Sequence, residues 1–256
     1  MKENKYDDMS FFEKYSQMPR SLKGLDGAGE WNTLKAMLPN LKGKRVLDLG
    51  CGFGWHCVYA VEHGAKSITG IDISKKMLEK AREMSGSCPI EYLCVPIEDY
   101  EYSKNSFDVV ISSLAFHYVK SFDDVCAKVS RCLTDGGHFI FSVEHPVFTA
   151  EGSQKWICDI SGNLLHWPVD RYFDESDRTA FFLEEEVIKY HRTLTAYINS
   201  LLSCDFEITG FCEPMPPTDM LYIPDMKDEL RRPMMLIVSA AKRRETRKNA
   251  DCCTAS

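Results

Sequence analysis

Three glycines at alternate positions, Gly50, Gly52 and Gly54, directly follow a short apolar run from Arg45 to Leu49. With no Cβ atoms, such a turn lets a ligand approach the backbone and admits φ values that other residues avoid. The residues after it, Trp55 to Glu62, suit a helix whose first N–H groups would point at that ligand. Two carboxylates frame the turn. Asp48 lies in the run before it, and Asp72 ends a second run, Ser67 to Asp72. Asp72 comes about twenty residues past the glycines, where doubly wound folds place the acid that grips a ribose diol. A P-loop is excluded, because no Lys and Ser/Thr follow the glycines. Trp55 stands where the third glycine of a dinucleotide fingerprint belongs, which weighs against that reading. A pyrophosphate has no use for an acid in its turn, so Asp48 suggests a ligand with a cationic amine. Two histidines stand just past later strand-like runs. His117 and His145 are the candidate proton acceptors, since imidazole titrates near neutral pH. Pro146 forces an extended backbone on His145, which is expected to aim it at the cleft.

The elements that must position these groups alternate strand and helix. Strands are expected at 45–49, 67–72, 90–95, 107–113 and 138–143. Helices are expected at 55–63, from a Ser74 cap to Arg82, and at 122–132, with a turn at 134–137. This spacing argues for a parallel sheet with helices on both faces and a ligand at the carboxyl ends of the strands. From Glu144 to about Lys189 the rhythm breaks. That stretch carries Phe148, Trp156, Trp167, Tyr172, Phe173, Phe181 and Phe182. It is too long for a structureless loop, so it reads as a cap over the substrate. An aromatic cap suits a flat or apolar substrate, or a cation held over rings. Within it, Arg171 beside Tyr172 offers an anchor for an anion or a cap-to-core ion pair. A helix from His191 to Leu202, a strand from Phe206 to Glu213, a proline-rich loop (Pro214, Pro216, Pro217, Pro224) and a strand from Met234 to Ala240 complete the core. Before it lie a short helix at Phe11 to Tyr15, a loop of small residues from Ser21 to Glu30 and a helix from Glu30 to Leu38. This leader reads either as an ordinary surface helix or as a lid that brings Tyr15 and Arg20 to the ligand. The divisions are thus 1–43 leader, 44–143 ligand-binding core, 144–190 cap, 191–241 remainder of the core and 242–256 flexible tail.

The 256-residue chain carries a net charge of −7, which argues against a broad nucleic-acid footprint. No stretch is long and apolar enough to span a membrane, and the polar start is unlike a signal peptide, so a cytoplasmic location is expected. Eleven cysteines form no Cys-x-x-Cys pair. Buried, reduced thiols explain them better than a metal site or disulfides. Cys51 is expected to pack beneath the ligand.

The run Asp48-Leu49-Gly50-Cys51-Gly52-Phe53-Gly54, with Asp72 downstream, closely resembles motifs I and II of the class I S-adenosylmethionine-dependent methyltransferases. Further segments resemble the type 11, ubiquinone/menaquinone-biosynthesis-like branch that acts on small molecules. They are Tyr15-Ser16-Gln17, Gly24 to Gly27, Glu30-Trp31, Trp167 to Tyr172, His191-Arg192-Thr193 and Arg232 to Met235. The resemblance implies an α/β, doubly wound, Rossmann-like seven-stranded sheet with its last strand antiparallel and a cap inserted after strand five. It implies S-adenosyl-L-methionine as cofactor and S-adenosyl-L-homocysteine as product. Gly50, Cys51 and Gly52 would line the methionine part, with Asp48 near its ammonium. Asp72 would take the ribose hydroxyls, and Ile73 and Met77 would pack on adenine. Pro96 stands where many relatives carry Asp, which leaves Glu98, Asp99 or the backbone around Ile97 to meet the adenine amine. Ser113 and Leu114, in a stretch similar to motif IV, would complete the cofactor wall. The Asn/Asp-Pro-Pro-aromatic tetrad of amino-methylating DNA enzymes is absent there, so a nucleic-acid base is not the expected acceptor. The expectation is an enzyme of class EC 2.1.1.- that moves a methyl group to an O or N atom of a small molecule. A non-catalytic cofactor-binding module and a nicotinamide-dependent oxidoreductase are the alternatives. No metal is called for.

Overall fold

The computed structural model describes residues 4–223 and 226–244. Pro224 and the tail from 245 onward lie outside the described residues.

After a 3-10 turn at Lys5–Asp7, the leader forms α1 (Met9–Ser16), α2 (Pro19–Leu22), a second 3-10 turn (Gly24–Gly27) and α3 (Trp31–Met37). Asp8 starts α1 by accepting from the Phe11 N–H at 3.0 Å, the usual role of an N-cap carboxylate. The segment from Ser21 to Glu30 is therefore not the plain loop expected. Pro19 at the first position presets φ for α2, and the chain continues in tight turns.

The core runs β1 (Arg45–Leu49), α4 (Trp55–Glu62), β2 (Ser67–Asp72), α5 (Lys75–Ser85), β3 (Ile90–Cys94), β4 (Phe107–Ser113), α6 (Phe122–Cys132) and β5 (Leu133–Glu144). The insertion holds α7 (Pro146–Thr149) and two antiparallel ribbons, β6 (Ile157–Cys158) with β7 (Leu164–His166) and β8 (Asp177–Phe182) with β9 (Glu185–Tyr190). Then come α8 (Leu194–Ser203), β10 (Phe206–Cys212) and β11 (Met235–Lys242). The seven-stranded sheet has the order β10-β11-β5-β4-β1-β2-β3, and β11 is antiparallel to both neighbours.

In β1, β2, β4 and β11 the side chains are buried on both faces, which is why these strands read as continuous apolar runs. Leu47 and Leu49 enter one core with Phe116, Phe139, Phe141 and Tyr197. Val46 enters the other with Cys57, Ala60, Leu78 and Ile140. The strand order turns back between β1 and β4, which opens a crevice at their carboxyl ends.

Two of the boundaries that differ from expectation have a clear local cause. β5 begins at Leu133 rather than His138, because the turn residues are looped out inside the strand: Phe107 pairs with Leu133, but Val109 already pairs with His138. α8 begins at Leu194 rather than His191, because the Thr193 hydroxyl accepts from the Ala196 N–H at 3.1 Å and makes Thr193 the cap. His191 and Arg192 are thereby left ahead of the helix. No helix among the described residues is long and apolar enough to cross a membrane.

Candidate active site

β1 delivers the chain into a turn with Gly50 at φ +73° and Gly52 at φ +53°, both in the left-handed region. A Cβ on Gly50 would stand 2.6 Å from Cβ of Ala115, whereas one on Gly52 would meet nothing within 4 Å. The space in front of Gly52 is open. The N–H groups of Gly50 and Cys51 both donate to the Ile71 carbonyl at 2.9 Å, which pins the turn to β2. At the end of β2, Asp72 accepts from the Gly52 N–H through one oxygen and from the Ser74 N–H through the other, each at 2.9 Å. Burial pushes its carboxyl up to about 6, with these bonds opposing. Ser74 caps α5, accepting from the Met77 N–H and donating to Asp7 of the leader at 2.6 Å.

These elements wall one end of a cleft of about 220 Å³, lined there by Gly50, Gly52, Asp72, Ile73, Met77, Pro96, Ile97, Glu98, Ser113 and Leu114. Leu114 has φ +53°, a strained conformation for a non-glycine residue, held because its N–H donates to the carbonyl of Ser142 at 2.9 Å. Asp48 lies behind the turn and is not among the lining residues. One of its oxygens accepts from the Cys57 thiol, the other has no hydrogen-bond partner among the described residues, and burial raises its carboxyl to about 7. Asp48 therefore does not face the cleft itself, against the expectation that it meets the ligand's amine. Asp72 and the apolar wall of Ile73, Met77 and Ile97 fit a diol and a flat ring. The residues present therefore suit S-adenosylmethionine.

The other end of the cleft is built by longer-range contacts. His117 sits on a 3-10 turn, Phe116–Tyr118. The Arg192 guanidinium holds that turn by donating to the carbonyls of Phe116, Val119 and Lys120. His117 is buried, and its Nδ1 has no hydrogen-bond partner among the described residues. Burial drives its pKa down to about 4 against the pull of Glu144, so the ring is neutral at pH 7. Glu144 ends β5 and accepts from Lys189 Nζ at 2.6 Å and from Gln154 Nε2 at 2.8 Å. Burial pushes the Glu144 carboxyl up, but His117, Lys189 and the hydrogen bonds outweigh it and leave it below its ordinary value. His117, Glu144 and Lys189 all line the cleft.

A roof spans both ends. Tyr6, Tyr15, Met18 and Arg20 come from the leader, and Phe182 and Lys189 from the β8–β9 ribbon. The two parts of the roof are packed together. Phe11 is fully buried against Ala180 and Val187, and Lys14 pairs with Glu184 at 2.7 Å. Arg20 is held by both carboxylate oxygens of Glu30, each at 2.9 Å.

Several expectations need correction. His145 does not face the cleft. Its Nδ1 accepts from the Val147 N–H at 3.0 Å to cap α7, and its Nε2 lies 2.8 Å from Glu213. The extended backbone before Pro146 was inferred correctly, but it turns the ring toward the new helix. Of the cap's aromatic residues, only Phe182 lines the cleft. Phe148, Trp156 and Trp167 instead surround Arg232, whose guanidinium lies 4.0 Å from the Trp167 ring centre. The cation over rings belongs to the protein itself. Arg171 is an exposed residue paired with Asp174 next to it in the cap, neither an anchor in the cleft nor a tie to the core. Cys51 lines a small adjoining cavity, and burial pushes its thiol up to about 11, so it stays protonated. Sequence reasoning assigned no role to Glu144, Lys189 or Tyr6. A signal for Lys189 existed: in a strand at 185–190 it alternates with Val187 and so shares the buried face.

A family profile described as a methyltransferase domain matches residues 47–141. A solved Listeria monocytogenes chain, assigned as an S-adenosylmethionine dependent methyltransferase, is 56% identical, with 86% of this chain and 99% of that one covered and a TM-score of 0.82. An S-adenosylmethionine dependent methyltransferase from Mesorhizobium loti is 42% identical over 86% of this chain and 100% of its own, with a TM-score of 0.79. Two curated relatives match over less of their length. A tRNA U34 carboxymethyltransferase of Methylococcus capsulatus is 33% identical over 43% of this chain and 35% of its own. A ubiquinone biosynthesis O-methyltransferase of Neisseria meningitidis is 36% identical over 52% of this chain and 60% of its own. With the turn, the acid and the seven-stranded sheet all in place, these likenesses over nearly whole solved chains establish that the chain belongs to the class I S-adenosylmethionine-dependent methyltransferases.

Proposed function

We propose that this methyltransferase acts on an oxygen or nitrogen atom of a small molecule, with His117 as proton acceptor. The observation that carries this reading is the continuity of one cleft, from Asp72 to the buried group of His117, Glu144 and Lys189. When bound, the cofactor supplies a sulfonium methyl group open to in-line attack. Methyl transfer of this kind asks the protein mainly to position the reactants, exclude water and remove a proton. Asp72 and the glycine turn position one reactant. Tyr6, Phe182 and the rest of the roof exclude water and limit the acceptor to a small molecule. The neutral His117 ring, with an unpaired Nδ1, is prepared to take a proton from a hydroxyl or amine. Glu144 stabilises the charge that then develops on the ring, and Lys189 keeps Glu144 in place.

The similarity to the O-methyltransferase of Neisseria meningitidis favours a hydroxyl acceptor. The likeness to the tRNA-modifying enzyme covers only about a third of that protein. The test is a screen of hydroxyl- and amine-bearing metabolites with S-adenosylmethionine, read by S-adenosylhomocysteine release and acceptor mass. Turnover that His117→Ala abolishes supports the reading. Full turnover in His117→Ala, or modification only of RNA, overturns it.

A further inference from the structure

A second cavity opens off the cleft, and at about 250 Å³ it is as large as the cleft itself. Its walls are the leader around α2 on one side and the segment between β10 and β11 on the other. Six of the chain's eleven methionines line it: Met18, Met215, Met220, Met226, Met234 and Met235. The prolines of the 214–217 stretch add further apolar surface. The charged groups closest to this lining are already neutralised, since Glu30 holds Arg20 and Glu229 holds Arg232. Lys23 and Asp26 sit exposed at the rim. Unbranched, polarizable thioether chains rearrange readily around apolar ligands of irregular shape.

The position of the doorway decides what this cavity serves. Met18, Arg20, Met234 and Met235 line both spaces. Met235 pairs with Glu144 across the sheet, and the Met234 carbonyl accepts from the His145 N–H at 2.9 Å. Through Met234 and Met235 the doorway therefore stands beside Glu144, at the proton-accepting end.

We infer that this methionine-lined cavity holds the apolar body of the methyl acceptor, an aliphatic chain or ring system, while its hydroxyl or amine head reaches His117 through the doorway. The acceptor class is then amphipathic: one compact nucleophilic head on an apolar body. This rests on the methyl-transfer reading of the cleft.

The test uses the full chain saturated with S-adenosylhomocysteine and titrated with phenol, 4-ethylphenol, 4-butylphenol and 4-hexylphenol. Affinity should rise about fourfold per added methylene until the cavity fills. With methionine methyls labelled by ¹³C, 4-hexylphenol should shift the Met220 and Met226 signals and phenol should leave them in place. Met220→Glu should erase the chain-length gain without changing S-adenosylhomocysteine affinity. A flat affinity series, or Met220 and Met226 methyls that do not respond to 4-hexylphenol, overturns the assignment without any variant. Absence of S-adenosylhomocysteine binding overturns the methyl-transfer reading, and the acceptor assignment with it. Binding of S-adenosylhomocysteine with a flat phenol series overturns the cavity assignment alone.

Discussion

At the Asp72 end of the cleft, half of the lining residues come from one turn–helix–strand–helix stretch, Gly50 to Met77. At the His117 end they come from three separated places: the turn after β4, the end of β5 and the β9 strand of the inserted ribbon. The first end is held by backbone geometry, with Asp72 accepting two N–H groups at 2.9 Å. The second is held by side chains, with Lys189 reaching Glu144 and Arg192 tethering the His117 turn. The difference separates two demands. On the proposed reading, the cofactor is met by local backbone geometry, and the acceptor by side chains drawn together from distant parts of the chain.

If the two ends are separable, variants at each should affect different quantities. The largest effect is expected from His117→Ala, which should cut turnover by about 10²- to 10⁴-fold, the usual worth of a positioned base. Its S-adenosylhomocysteine affinity should remain within twofold of the native protein's in calorimetry. Lys189→Met comes next. It leaves Glu144 buried without its partner and should cost about 3–5 kcal/mol of stability in denaturant melts. Changing both residues, Glu144→Leu with Lys189→Met, should recover most of that stability but not turnover.

At the other end, Asp72→Ala should weaken S-adenosylhomocysteine binding by roughly 1–3 kcal/mol through lost charged hydrogen bonds. Cofactor binding there also carries a pH signature. Burial raises the Asp72 carboxyl to about 6, so the free folded protein holds a proton on it more readily than the unfolded chain does. The stability linked to this group is present below the unfolded value and is lost as pH rises through about 6. Hydroxyl donors need the carboxylate, so cofactor affinity should move the opposite way and rise between pH 5 and 7.5. Titrations in buffers of different ionisation enthalpy should show proton release near pH 6, and affinity flat across that range would remove Asp72 from the site. His145→Ala should give the smallest change, about 1 kcal/mol of stability from the lost α7 cap. Turnover should be unaffected; a large fall would return His145 to catalysis.

The same contrast explains what was legible in the sequence. The Gly50-x-Gly52 turn, Asp72 and the Ser74 cap are local patterns, and the strand–helix alternation around them follows from burial on both faces of the sheet. They could be read without knowing where any distant residue lies. His145 could not, because an extended backbone before Pro146 does not determine which way the ring turns. Here the neighbouring Val147 N–H and Glu213 captured it. The Glu144–Lys189 pair spans 45 positions, and its meeting depends on how the inserted ribbon packs over the end of β5, which no local pattern shows. The cap's aromatic residues were misread for a related reason. Composition marked them as a lining, whereas the structure gathers three of them around Arg232.

One calorimetric comparison tests the central claim most directly: S-adenosylhomocysteine titrated at pH 7.5 into the native protein, Asp72→Ala and His117→Ala. A two-ended cleft predicts that only Asp72→Ala loses affinity, while His117→Ala binds as the native protein does. Equal losses in both variants, or a loss confined to His117→Ala, would contradict the division of the cleft into a cofactor end and an acceptor end.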